Sequence, residues 1–262
     1  MNIQHYYQKT ADISLNASLT ALVPPFFFLL LFMNKFQGTH FIILLIPFIF
    51  YSFLCHQMYL LNKQRADEAV LSKYYYQGQA LLPILQYSNV LIAFLPAPSL
   101  RMVLFDPDGS QIGEIRDMKM RKIRWFLPYF LDRIFPTRLG IYDQAENLEV
   151  SILIRRSGIE IISSNDEYRE TIEIRKIGTT VVFQNGAIHY TVPKTYLHTD
   201  LQVLDEQSHR AARLRKGWMP LEWGERFKDP NTPVLSFKES LAPKEKCRIY
   251  AIFAALFLYH NH

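Results

Sequence analysis

Two uncharged apolar runs constrain this chain before any other feature. From Ala17 to Met33 it reads ASLTALVPPFFFLLLFM, and from Phe41 to Leu61 it reads FIILLIPFIFYSFLCHQMYLL, with no Asp, Glu, Lys or Arg in either. Each approaches the roughly 20 residues needed to cross about 30 Å of hydrocarbon. The stretch between them, Asn34 to His40, is too short to hold a domain. The pair predicts two transmembrane α-helices, about 17–33 and 41–61, forming a hairpin within residues 1–65 with both chain ends on one side of the membrane. A signal peptide is the rival for the first run. The NKFQGTH that follows it lacks a small-residue cleavage pattern, however, and a second apolar run begins at once. Pro24 and Pro25 are tolerable near the start of a membrane helix, where missing amide donors cost least, and Pro47 is expected to kink the second helix.

Composition agrees with a chain of two characters. Hydrophobic residues make up 49% of the 262 positions, yet mean hydropathy is only -0.02, so apolar content is concentrated and offset by a polar remainder. The net charge of +5 is uneven: residues 1–65 carry Lys9, Lys35, Lys63 and Arg65 against Asp12 alone. A nucleic-acid binder would instead spread basic side chains over a face of a strongly positive domain, so no nucleic-acid partner is expected. Lys63, Arg65 and Lys73 follow the second apolar run and Lys9 precedes the first, while the loop between holds only Lys35. By the positive-inside rule this predicts a multi-pass protein of the cell membrane with cytoplasmic N- and C-termini. Two cysteines, Cys55 and Cys247, cannot form a disulfide framework, which favours a reducing compartment.

After Leu61 a polar stretch predicts a linker helix over 66–88. From Asn89 to His262 the pattern changes to short alternating or β-branched runs broken by turn residues, the signature of an antiparallel sheet or barrel. The clearest turn is PDGS at 107–110, between RMVLFD and QIGEI. Further strand candidates are LGIYD, LEVSILIRR, GIEIISS, RETIEIRK, TVVFQ, AIHYTV, DLQVLD, AARLRK, ERFKD and PVLSFK. The last segment, Cys247 to Tyr259, reads CRIYAIFAALFLY and is apolar on almost every face. At about twelve apolar residues it is short for a bilayer, which predicts a helix buried inside the protein.

A strand, an Asp-rich turn and a strand ending in basic residues recur in VLFDPDGSQIGEIRD at 103–117 and LQVLDEQSHRAARLRK at 201–216. KGWMPLEWGERFKDPNTPVLSF then leads into the apolar segment, with Lys216, Gly217 and Trp218 standing where a Lys-Xaa-Trp stretch precedes the last strands of LURP-one-related chains. On these residues the chain, over roughly 89–259, resembles the superfamily of tubby C-terminal domains, LURP-one-related proteins and phospholipid scramblases. The resemblance implies a mainly β fold: a closed antiparallel barrel of about a dozen strands around a buried C-terminal helix. Scramblases carry their membrane segment at the C-terminal end, whereas the hairpin here is N-terminal.

Local signatures of catalysis are missing: there is no phosphate-cradling Gly-rich loop, His-Glu-Xaa-Xaa-His, Cys-Xaa-Xaa-Cys or Gly-Xaa-Ser-Xaa-Gly. The expectation is a non-enzymatic chain without catalytic residues, cofactor or metal site. Asp106, Asp108 and Gly109 begin like a calcium loop, but the twelfth position, where a bidentate Glu is needed, is Asp117; a plain hairpin turn is the better reading. His189 falls in a presumed strand, and His56 reads as an interfacial residue late in the second membrane segment.

The most suggestive cluster is RDMKMRKIRWFLPYFLDRIFP at 116–136. Arg116, Lys119, Arg121, Lys122 and Arg124 run into Trp125, Phe126, Tyr129 and Phe130. Cations beside large aromatics suit an anionic interface, and tubby domains, by resemblance, bind phosphoinositides through basic surface residues. The same residues also read as a solvated edge strand followed by a core-packing aromatic stretch. The leading expectation is a membrane-anchored cytoplasmic domain that binds anionic lipid headgroups through Arg116, Lys119, Arg121, Lys122, Arg124 and Trp125, or acts as a membrane scaffold. The alternative is a phospholipid scramblase or lipid transporter. Membrane lipids and an unidentified protein are the partners considered.

Overall fold

The structure, a computed structural model, describes residues 1–32, 39–69, 83–97, 99–118, 136–164, 168–186, 188–193 and 200–260. The chain divides into two compact units, Met1–Leu71 and Ser72–His262.

The first unit is helical: α1 (Ile3–Ala21), α2 (Val23–Phe32) and α3 (Thr39–Glu68). Asn2 caps α1 by accepting the His5 amide at 2.8 Å. Ile3, Tyr7 and Ala11 repeat at helical spacing and are buried, while His5, Gln8 and Asp12 face outward. This amphipathic first half extends the helix well before the expected start at 17, because its apolar stripe has α3 to pack against. Pro24 and Pro25 sit in the first turn of α2, directly after the Leu22 cap that ends α1. Pro47 lies within α3. The hairpin is stitched by two buried serines: the Ser18 hydroxyl donates to the Ser52 carbonyl at 2.9 Å, and Ser52 returns the bond to the Ser18 carbonyl at 2.9 Å. Ile3–Leu30 and Ile43–Glu68 are long and apolar enough to cross a membrane by length and composition. The expected linker helix falls largely on residues 70–82, outside the described residues; Ile84–Gln86 forms a 3₁₀ turn.

The second unit is a closed antiparallel barrel of twelve strands. They are β1 (Asn89–Phe94), β2 (Arg101–Phe105), β3 (Gln111–Asp117), β4 (Thr137–Asp143), β5 (Leu148–Arg155) and β6 (Gly158–Ser163), then β7 (Arg169–Ile177), β8 (Thr180–Asn185), β9 (Ile188–Pro193), β10 (Asp200–Leu204), β11 (Arg210–Arg215) and β12 (Val234–Phe237). Each strand pairs with its neighbour in sequence, and β1 closes the ring against β12, with Leu91 opposite Val234. In this up-and-down order, connections from even to odd strands lie at one end of the barrel and those from odd to even strands at the other. One expected strand is absent: ERFKD at 225–229 belongs to the β11–β12 connection, together with the short helix α4 (Leu221–Gly224). Pro220 and Pro230 bracket it, and Phe227, its apolar residue, packs edge-on over Phe105 at 6.1 Å.

Three even-to-odd hairpins share one device. The ladder slips by one residue just before Asp106, Asp143 and Asp205. Each of these carboxylates then accepts the amide four residues on, from Ser110, Asn147 and His209, at 2.8, 2.7 and 2.8 Å. The residue before that donor takes positive φ: Gly109 (82°), Glu146 (65°) and Ser208 (61°). The Asp side chain thus does in each turn what an extra backbone acceptor would do. The repeated Asp-rich turns of the sequence are this motif, and DQAEN at 143–147 is a third copy.

The barrel is filled by α5 (Pro243–His260), whose residues Ile249 to Phe257 are all buried. Inward isoleucines such as Ile115, Ile141, Ile152, Ile159, Ile161 and Ile172 form one core with it. The helix is tied at its start. Lys246 donates to the carbonyls of Gln86 and Tyr87 at 3.3 and 2.8 Å, beside the β1–β12 seam. Arg248 pairs with Glu170 at 2.8 Å, both nearly buried, and Asn185 donates to the other Glu170 oxygen at 3.3 Å. Replacing Glu170 by Ala leaves the buried guanidinium uncompensated and is expected to cost about 3–5 kcal/mol in the unfolding free energy of the barrel. The double change Glu170→Leu with Arg248→Met is expected to cost much less, and denaturant titration followed by near-ultraviolet circular dichroism measures both.

Candidate functional site

Of the six residues expected to contact lipid, Arg116 lies on β3. Its guanidinium stacks over the Tyr142 ring at 4.3 Å and pairs with Glu146 at 3.4 Å and Glu114 at 3.8 Å. Arg116 is therefore held along the barrel wall by two carboxylates and one ring. Lys119, Arg121, Lys122, Arg124 and Trp125 lie outside the described residues. The strand ends that their segment joins, Asp117 of β3 and Thr137 of β4, are described and lie at the odd-to-even end of the barrel. The barrel has no edge, so no strand of it is an edge strand.

Charge is unevenly distributed among the connections in sequence. At the even-to-odd end, the turns at 106–110, 143–147 and 205–209 contain six acids and no Lys or Arg, and the β6–β7 connection adds Asp166 and Glu167 in sequence. The connection from β3 to β4, residues 118–136, contains five Lys or Arg and one acid in sequence, and the β5–β6 turn at the odd-to-even end contributes Arg156. A groove of about 360 Å³ opens there between the β5–β6 turn and β7, flanked by Arg155 and Arg175. Both are already matched, Arg155 to Glu160 at 3.5 Å and Arg175 to Glu173 at 2.9 Å. The groove consequently presents paired rather than free positive charge.

Asp106 and Asp108, which begin like a calcium loop, have other employment. Asp106 accepts the amides of Asp108 and Ser110, while Asp108 pairs with Arg226 at 3.2 Å. Arg226 also donates to the Pro107 carbonyl at 3.4 Å, clamping the long β11–β12 connection to this turn. Among the described residues no group of three or more His, Cys, Asp or Glu is placed to hold a metal.

Burial pushes the Asp106 carboxyl up to about 6 and Asp108 adds to the shift, against the two turn amides and Arg226. The folded protein thus holds this proton more tightly than the unfolded chain does, so stability rises as pH falls from about 6 to about 4. Asp106→Asn keeps an acceptor for the turn and removes the charge; unfolding free energies measured across that range should show a weaker pH dependence than the native protein. Asp106→Ala, which takes the acceptor from both amides, should destabilise at every pH.

No protein-family model matches the chain, and no curated protein matches it. Among solved structures, the X-ray structure of a protein from Arabidopsis thaliana is similar, at 11% identity and a TM-score of 0.40, over 63% of this chain and 89% of that one. Twelve antiparallel strands close in sequence order around an apolar C-terminal helix, the closed barrel with a buried helix expected from the sequence.

Proposed function

We propose that this protein is a membrane-anchored, non-enzymatic cytoplasmic lipid-binding or scaffold protein, tethered by its helical hairpin and docking its barrel on anionic headgroups. The observation that carries the reading is the outward surface of α2 and α3. Phe26, Phe27, Leu30, Ile43, Ile46, Phe50 and Phe53 are all more than half exposed. A surface of that extent is far beyond the apolar patches that a soluble protein leaves in water, and hydrocarbon is the solvent that suits it. The excess of Lys and Arg on the residues flanking the two spans supports cytoplasmic ends.

Residues 119–125 supply the docking charge. Four cations within six positions, followed by Trp125, match the electrostatics and polarity of a headgroup layer, where each cation contributes about 1 kcal/mol. The test uses the full-length protein in lipid nanodiscs, neutral or with added anionic lipid, with amide hydrogen exchange read over 116–130. Slower exchange in anionic discs, reversed by salt, is expected. The triple change Arg121→Ala, Lys122→Ala and Arg124→Ala should remove about 3 kcal/mol, on the order of a hundredfold in the docked population. Identical exchange in both lipids would overturn the proposal.

A further inference from the structure

The exposed side chains of the helical unit change character part-way along both arms of the hairpin. On the first arm the outward residues from Leu19 to Leu30 are apolar apart from Thr20, whereas those nearer the N-terminus are His5, Gln8, Asp12 and Asn16, all polar. On α3 every exposed residue from Ile43 to Leu54 is apolar or aromatic. Beyond it come His56 and Gln57, then Lys63, Gln64, Asp67 and Glu68, with Met58, Leu60 and Leu61 between. The two changes lie at one level. Ser18 and Ser52 donate to each other's carbonyls, and fourteen residues further out on each helix Gln4 donates to the Ala66 carbonyl at 3.1 Å. Equal spacing on antiparallel helices puts Asn16 opposite Leu54 and Asp12 opposite Met58.

Helix length points to the same level. Hydrocarbon takes about 20 helical residues, and counting back from Met33, where the apolar run ends in sequence before Asn34 and Lys35, reaches Ser14. The 28 residues from Ile3 to Leu30 are about 42 Å long. Placing all of them within about 30 Å of hydrocarbon needs a tilt of about 45°, more than twice the usual value of about 20°. That tilt would also carry Gln8 and Asp12 into lipid, where a carboxylate is strongly disfavoured. The helix pair nevertheless stays packed beyond this level: Ile3, Tyr7 and Ala11 of α1 and Asn62 and Ala66 of α3 are all buried. Just past it on α3, the His56 and Tyr59 rings lie 5.8 Å apart and the Lys63 ammonium is 5.9 Å from the Tyr59 centroid, a ring-and-cation grouping suited to headgroups. We infer that the hydrocarbon boundary nearer the chain's N-terminus crosses the hairpin at Asn16 and at Leu54–His56, and that the turns beyond it form a packed two-helix stalk standing in water. Ile3 lies about 20 Å beyond Asn16, whereas a headgroup layer is about 5–8 Å deep. The inference rests on the membrane-anchoring reading and adds which part of each helix lies in lipid and which in water.

Spin labels on single cysteines test it in the full-length protein, reconstituted in phosphatidylcholine nanodiscs. Cys55→Ser removes the half-buried thiol of α3, and Cys247 is buried inside the barrel with its thiol pushed up to about 12, so it resists labelling. Labels are placed at exposed positions by Phe27→Cys and Phe50→Cys in the apolar band and by Gln8→Cys and Gln64→Cys beyond it. Those at 27 and 50 should be accessible to oxygen and shielded from a water-soluble relaxant; those at 8 and 64 should show the reverse. Carrying both outer labels, the protein should give one narrow distance distribution between 8 and 64, since packed helices hold them level. Labels at 8 and 64 that read as lipid-immersed, or a broad distribution between them, would overturn the stalk while labels at 27 and 50 in hydrocarbon keep the anchor. Aqueous labels at 27 and 50 would remove the anchor and the stalk together.

Discussion

The barrel depends on having something to close around. An eight-stranded barrel is narrow enough for its own side chains to fill; twelve strands enclose a wider space, and here a helix about 10 Å across occupies it. This is why α5 is apolar all round, from Ile249 to Phe257, where a surface helix would keep a polar stripe. The inner isoleucines and the helix are one core, so neither sheet nor helix has a water-free partner without the other.

Polar side chains add orientation to that apolar packing. Lys246 reaches the carbonyls just before β1, at the ladder joining the first and last strands, and Arg248 reaches Glu170 at the start of β7. Both anchors lie in the first turns of α5, so they set which end of the helix faces which end of the barrel. The Tyr250 hydroxyl, farther in, has no hydrogen-bond partner among the described residues. Apolar burial therefore supplies most of the attraction, while direction comes from charges near the entrance.

Much of this was legible from residues alone, for identifiable reasons. LEVSILIR alternates as a strand with one face inside should, and the all-apolar run after Cys247 could only be covered by protein or lipid. NVLIAF is harder to read, because β1 is buried on four successive positions and shows no alternation. ERFKD misled in the opposite sense: one buried Phe227 between charged residues imitates a strand, although the chain there is bracketed by prolines and clamped by Arg226. The basic-aromatic cluster was visible because its residues are consecutive. Arg116 belongs to it in sequence but is engaged along the barrel wall, a distinction that depends on Tyr142 and Glu146, about thirty residues away. Exposure at Ile177 and Trp218 leaves no mark in composition.

The helix that fills the barrel follows all twelve strands in the chain. During synthesis the strands therefore leave the ribosome before the segment they must enclose, and an isoleucine-lined sheet has no native cover until α5 arrives. Closure of β1 on β12 is held back for the same reason. Local structure can form earlier: the three Asp-capped hairpins need only a few neighbouring residues. Biogenesis of this domain is thus divided into early hairpins and a single late, concerted step, and the interval between them is when the nascent chain most needs a chaperone.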